Sequence, residues 1–186
     1  AAQAHAALAP LRAYTAQIVR QANQYGKTGD AAAARCLLAG LAAWADAGAL
    51  RQMNDANAQF ERASTLAGLS LALMQVAPAL EKDAQWRKVT GWMNALARQM
   101  TDYFDGSTKL AGSRNNHRDW AALAAAGVAV VGSDHSLLDW SAARYRDTVC
   151  GATPQGGLPL ELARGQKALD YHLFSLAALV PLAATL

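Results

Sequence analysis

Residues 30–48 read DAAAARCLLAGLAAWADAG. Asp30 is a preferred N-cap, Cys36, Leu37, Gly40, Leu41 and Trp44 recur at helical spacing, and Gly48 is a natural stop, so the spacing predicts a helix over Ala31 to Ala47. The rest of the 186 residues has the same character: 45 are alanine, 8 are valine and Ile18 is the sole isoleucine, so helix formers abound and sheet-filling residues are scarce. The expected class is all-α. With 53% hydrophobic and 17% charged residues and a mean hydropathy of +0.02, the chain suits one core-forming domain. Polar residues interrupt every apolar run, so no membrane span is expected.

A second helix is predicted from about Ala56 to Ala77, where Pro78 marks its end, and a third from about Ala79 to Phe104 before the turn Asp105-Gly106-Ser107. The pattern resumes from Asn116 to Val131, breaks at Gly132-Ser133-Asp134, and runs on to about Val149. Cys150 to Gly157 is the longest loop signal, and a last helix is predicted from about Glu161 to Leu179. Helices joined by short breaks pair antiparallel, and several such pairs make a curved array. Without tetratricopeptide, HEAT or ankyrin signatures, the expected architecture is a single α/α-toroid domain over residues 1–186.

Seventeen basic against fourteen acidic residues give a formal +3 and a pI near 9.0, which suits an anionic ligand. The basic residues form no stripe interleaved with aromatics, so nucleic acid is not an expected partner. Cys36 and Cys150 lie far apart and form no C-x-x-C pair, which indicates neither zinc nor redox chemistry. Cys36 is expected to be a buried thiol, or to pair outside this chain, and not to be bridged to Cys150. H-E-x-x-H, Walker and dinucleotide motifs are missing, so neither a metal nor a cofactor is expected.

Two stretches carry chemistry. In Asn115-Asn116-His117-Arg118-Asp119-Trp120, three polar side chains open an alanine-rich helix, where unsatisfied amides suit a carboxylate. The plainer reading is an Asn cap and a structural histidine. Arg164 and Tyr171 stand 171 − 164 = 7 residues apart, two turns along one predicted helix, so both fall on one face with Phe174 just beyond. Arginine supplies a permanent positive fork and tyrosine a hydroxyl that gives or takes a proton. The plainer reading pairs Arg164 with an acid such as Glu161. His172 faces about 100° from Tyr171 and reads as structural, His5 falls in a fraying terminus and His135 follows a turn.

Asn115-Asn116-His117 with Trp120, then Gly157-Leu158-Pro159-Leu160-Glu161-Leu162 with Arg164, then Ala168-Leu169 and Tyr171-His172, resemble the alginate lyases of polysaccharide lyase family 5 in order and spacing. Ala43-Trp44-Ala45 and Ala47-Gly48-Ala49-Leu50 also resemble that family's W-A-x-A-G-A-L helix end, so the likeness spans roughly residues 30 to 180. The resemblance implies an α/α-toroid enzyme, periplasmic or secreted and monomeric, that cleaves mannuronate-rich alginate by β-elimination without a metal. Its partner is then an anionic polysaccharide.

Carried over residue by residue, Asn116, His117, Arg164 and Tyr171 form the catalytic set, while Asn115, Trp120 and Phe174 are candidates for binding sugar. Tyr171 is then the proton-transfer residue, with His117 as second choice for base. Asp119 departs from the family, which commonly carries tyrosine there, and would place an anion near an anionic substrate. Members are also roughly twice as long, with a lid-bearing segment before the matched region and further helices after it, so either the toroid is short or the chain is part of a larger polypeptide. Related lyases for glucuronan or hyaluronate, and a non-catalytic helical binding protein, are the competing readings.

Overall fold

The computed structural model describes residues 2–186, with side chains from residue 8 onward. The helices are α1 (Ala2–Thr28), α2 (Ala31–Asp46), α3 (Ala56–Leu80), α4 (Trp86–Gly106), α5 (Asn116–Gly132), α6 (His135–Cys150), the single turn α7 (Pro159–Leu162) and α8 (Ala168–Thr185). Among the described residues there is no strand. Local chemistry starts and stops several of them. The Asp30 carboxylate accepts the amides of Ala32 and Ala33, Asp55 accepts that of Ala58, and Asp134 accepts those of Ser136 and Leu137. At the end of α2, Gly48 takes φ 63°, its amide reaches the Ala45 carbonyl and that of Ala49 reaches Trp44, the bond pair of a Schellman motif.

The helices form two layers. α1, α3, α5 and α8 neighbour one another in that order, α2, α4 and α6 make the second row, and each hairpin gives one helix to each layer. Cross-contacts fix the direction within the first layer. Phe60 meets His117 and Ser70 faces Gly127, both with the same offset (117 − 60 = 127 − 70 = 57), so α3 and α5 run parallel. The Asp119–Ser175 and Trp120–Phe174 contacts bring the first turns of α5 to the first half of α8. The N-terminal ends of α3 and α5 therefore gather at one end of the layer, and the first half of α8 lies against them.

α5 is the axis of the core: Ala121 to Ala129 are all buried, and α3, α4, α6 and α8 pack around it. Alanine side chains let four neighbours approach closely, while larger groups such as Leu66, Leu69, Leu73, Met93, Leu96, Met100 and Phe104 fill the space around them. Each of these larger side chains contributes about 1.5–3 kcal/mol on burial. At the other edge, Tyr14 of α1 lies flat on Trp44 of α2, ring centroids 3.9 Å apart, with its hydroxyl over Gly40.

Several expectations need correction. The sequence reading placed no helix before residue 30, yet α1 fills that stretch; the His5 side chain lies outside the described residues. α3 runs through Pro78 to Leu80, because a proline in the last turn removes one helical bond while Glu81 still donates to the Ala77 carbonyl at 3.0 Å. α4 then begins at Trp86, not Ala79. The single helix expected over Glu161 to Leu179 is three pieces, α7, a 3-10 turn (Gly165–Lys167) and α8, since Gly165 adopts φ 61° and breaks it. Cys36 is exposed, off the buried stripe of α2, where it accepts a bond from Gln21 Nε2; it is not joined to Cys150.

The expectation about membrane spans also needs revision. By mean hydropathy over 18 residues, α3 (1.5) and the Gly165–Thr185 segment (1.3) both reach membrane-spanning values. α3 is a core helix, with Arg62 held inside by Gln59 and Gln99. α8 instead turns Leu169, Leu173, Leu176 and Val180 outward as one exposed row.

Candidate active site

The start of α5 is built by its own side chains. Asn115 caps it, accepting the His117 amide at 3.2 Å, and the buried Glu161 carboxylate receives both the Asn116 amide (2.7 Å) and Asn116 Nδ2 (2.9 Å). The helix end thus does receive a carboxylate, as its free amides favour, but the carboxylate comes from α7 of the same chain. Asn116 is accordingly turned inward and fully buried, and its Oδ1 lacks a partner. Arg164 is not paired to Glu161, so the plainer reading of that arginine fails.

His117 projects from the first turn and stacks face to face on Phe60 of α3, centroids 4.0 Å apart and planes 3° from parallel. Burial, and secondly the Arg164 charge, lower its pKa from 6.5 to about 4. At neutral pH it is an uncharged imidazole. Arg164 is exposed beyond α7 and lays its guanidinium over the Tyr171 ring, 3.8 Å from the centroid. The pair meets across the break at Gly165, not along one continuous helix face, because the chain folds back there.

His117, Arg164 and Tyr171 therefore converge, with Arg164 as their fixed cation, and Asn116 and Asn115 stand behind them as supports. The N-terminal dipoles of the parallel helices α3 and α5 point the same way and add positive potential. Beside His117, the Trp120 indole donates to the Phe174 carbonyl at 3.1 Å and their rings tilt at 37°; with Phe60, Glu61 and Ser64 they line a recess of about 70 Å³. His172 is half-buried. Asp119 does not face this recess. It is buried against Thr148 and Ser175, contrary to the expectation of an anion beside the substrate. Sequence reasoning missed Phe60, which arrives from a helix 117 − 60 = 57 residues earlier, and the capping role of Glu161.

A family model described as alginate lyase matches residues 1–186. The chain belongs to the alginate lyase family. It is similar to a polysaccharide lyase of Stenotrophomonas maltophilia, 34% identical over 181 residues that make up 95% of this chain and 54% of the relative. An alginate lyase of Pseudomonas aeruginosa is 34% identical over 175 residues, 90% of this chain and 46% of its own. Among solved structures, an alginate lyase A1-III variant complexed with tetrasaccharide superposes with a TM-score of 0.86 at 26% identity, covering 94% of this chain and 51% of that one. Alginate lyase A1-III from Sphingomonas species A1 gives 0.82 at 25% identity, covering 94% and 50%. The two-layered helical array of this family member is thus an α/α toroid. The chain spans about half the length of the curated relatives it matches.

Proposed function

We propose that this chain is the catalytic part of a polysaccharide lyase that cleaves mannuronate-rich alginate by β-elimination, acting as a monomer in the periplasm or outside the cell and without a metal. The observation that carries the reading is the Arg164 guanidinium seated on the Tyr171 ring with His117 in range of its charge, at an end of the molecule where helix N-termini gather. Family membership supplies the reaction class, and the tetrasaccharide complex of the similar A1-III lyase supports a glycan in this cleft.

The chemistry assigns the roles. A uronate C5 proton is removed only when the C6 carboxylate is stabilised as its enolate-like form, and Arg164, the permanent cation, meets that need. Neutral His117 donates one N–H to the same group without repelling Arg164, and the stacked Phe60 ring fixes the plane of its imidazole. In its deprotonated form Tyr171 takes the C5 proton and then hands it to the departing O4, both on the same face of a mannuronate ring. The C4–O4 bond breaks as the C4–C5 double bond forms, so no net proton is gained or lost. With its pKa near 4, His117 is the weaker choice for base. Asn116 and Glu161 hold the helix start that aims His117.

The test is to incubate the protein with polymannuronate, polyguluronate, glucuronan and hyaluronate and follow the ultraviolet absorbance of the unsaturated product. Polymannuronate is expected to give the fastest rise. Tyr171→Phe should lower kcat by at least about a hundredfold with little change in KM, the usual size of an acid–base effect. A Tyr171→Phe protein that kept most of its turnover would remove Tyr171 from the mechanism.

A further inference from the structure

Asp119 is a buried acid beside the site to which the proposed reaction gives no task. It sits in the first turn of α5, only 3% exposed. One carboxylate oxygen accepts the Thr148 hydroxyl of α6 at 2.7 Å and the other accepts the Ser175 hydroxyl of α8. Ser175 lies one helical turn beyond Tyr171 (175 − 171 = 4) and next to Phe174, whose carbonyl takes the Trp120 indole. The turn that carries His117 is therefore tied, at adjacent points, to the half of α8 that carries Tyr171.

We propose that Asp119 is a positioning residue: its ionised carboxylate seats α8 against α5 and so sets where the Tyr171 hydroxyl stands relative to His117. The consequence for turnover rests on the proposed lyase reading; the clamp itself rests on geometry alone. An ionised carboxylate accepts both hydroxyls in charge-assisted bonds, about twice as strong as neutral ones. When protonated it must donate through one oxygen, so one hydroxyl has to turn round and the bond on that side weakens.

Burial pushes the Asp119 pKa up to about 6, against the opposing pull of the Ser175 and Thr148 bonds and the Arg118 charge. Glu161 of α7 adds to the rise, while α6 and α8 face the carboxylate with hydroxyls. Asp147 of α6 is held by Arg118 and Arg144. A cavity of about 170 Å³ that Asp119 shares with Arg114, Arg118, Thr148 and Leu158 gives protons access.

The experiment compares the parent chain with Asp119→Asn, which keeps shape and removes charge, and with Ser175→Ala. The readouts are kcat and KM on polymannuronate from pH 5 to 8, the unfolding temperature, and amide hydrogen exchange along residues 168–178. At pH 8, Asp119→Asn should lower kcat about tenfold, as loss of one charge-assisted bond implies, with KM within about twofold. Its unfolding temperature should stay level or rise, because a buried charge is removed, while exchange in the first half of α8 speeds up. Ser175→Ala should lower kcat and speed the same exchange.

In the parent, kcat should fall on acidification through pH 6, and Asp119→Asn should abolish that limb. Parental kcat and parental exchange in Asp119→Asn would overturn the proposal, as would a kcat loss matched by a fall in unfolding temperature. If the parent cleaves none of the four polyuronides, the lyase reading fails; faster exchange in Asp119→Asn at unchanged stability would still support the clamp, and unchanged exchange would overturn it.

Discussion

His117 and Asp119 are two residues apart and respond to acid in opposite senses. The folded state lowers His117 from 6.5 to about 4, so its contribution to stability is present above pH 6.5 and is lost as pH falls toward 4. Asp119 is raised from 3.8 to about 6, so its contribution is full below 3.8 and is lost as pH rises through 6. Between pH 4 and 6 the two slopes oppose each other. Asp134, whose bond from Asn94 holds its carboxyl well below the usual range, acts only at lower pH. The parent's unfolding temperature should therefore change little from pH 6 to 4. Asp119→Asn should expose the His117 slope and lose stability on acidification, and His117→Gln should expose the Asp119 slope and gain it. Thermal unfolding of the three proteins at pH 4, 5 and 6 decides the matter, and three parallel curves would refute the pairing.

At the scale of helices, the crossing of α3 and α5 turns on one position. A methyl group at Gly127 would overlap Ser70 Oγ and stand 2.9 Å from Ser70 Cβ, in a core with no room to yield. Gly127→Ala should cost about 1–3 kcal/mol of stability, the usual cost of overpacking, in spite of alanine's better helix propensity. Adding Ser70→Gly should recover part of it in chemical denaturation, and a fully stable Gly127→Ala would show that the helices can part.

The same scale shows what the sequence made legible. α2, α5 and α6 were readable because caps and stops are local chemistry: Asp30 and Gly48 bound α2, Asn115 opens α5, and Asp134 opens α6. The break before α8 was not, since the apolar period continues across Gly165 and only the backbone angle there reveals the turn. Arg164 and Tyr171 were thus paired by the wrong geometry and still meet. Phe60 carried no local signal at all, because its partner lies in another hairpin. Cys36 was misplaced because a stripe of apolar letters is wider than the face a helix buries.

For the whole molecule, the toroid arrangement makes the site a property of layering. Neighbouring helices of one layer bring Phe60, His117 and Tyr171 together, so residues far apart in sequence need only lie where those helices touch. The first helix of this layer is seated on the second row through a contact of a different kind. Tyr14 lies on Trp44 at 9° from parallel, its hydroxyl is buried without a partner, and burial pushes its pKa up to about 12. Its contribution to stability is complete below pH 10 and is lost as pH rises through 12. Alkali should then lift α1 from α2 before it unfolds the core. Because two stacked aromatic rings couple optically, the near-ultraviolet circular dichroism of Trp44 should change between about pH 10 and 12. In Tyr14→Phe, which cannot ionise, the band should persist through that range, and an identical loss in both proteins would dissociate the signal from the stack. The stack thus makes the seating of the first helix visible to light, without any added label.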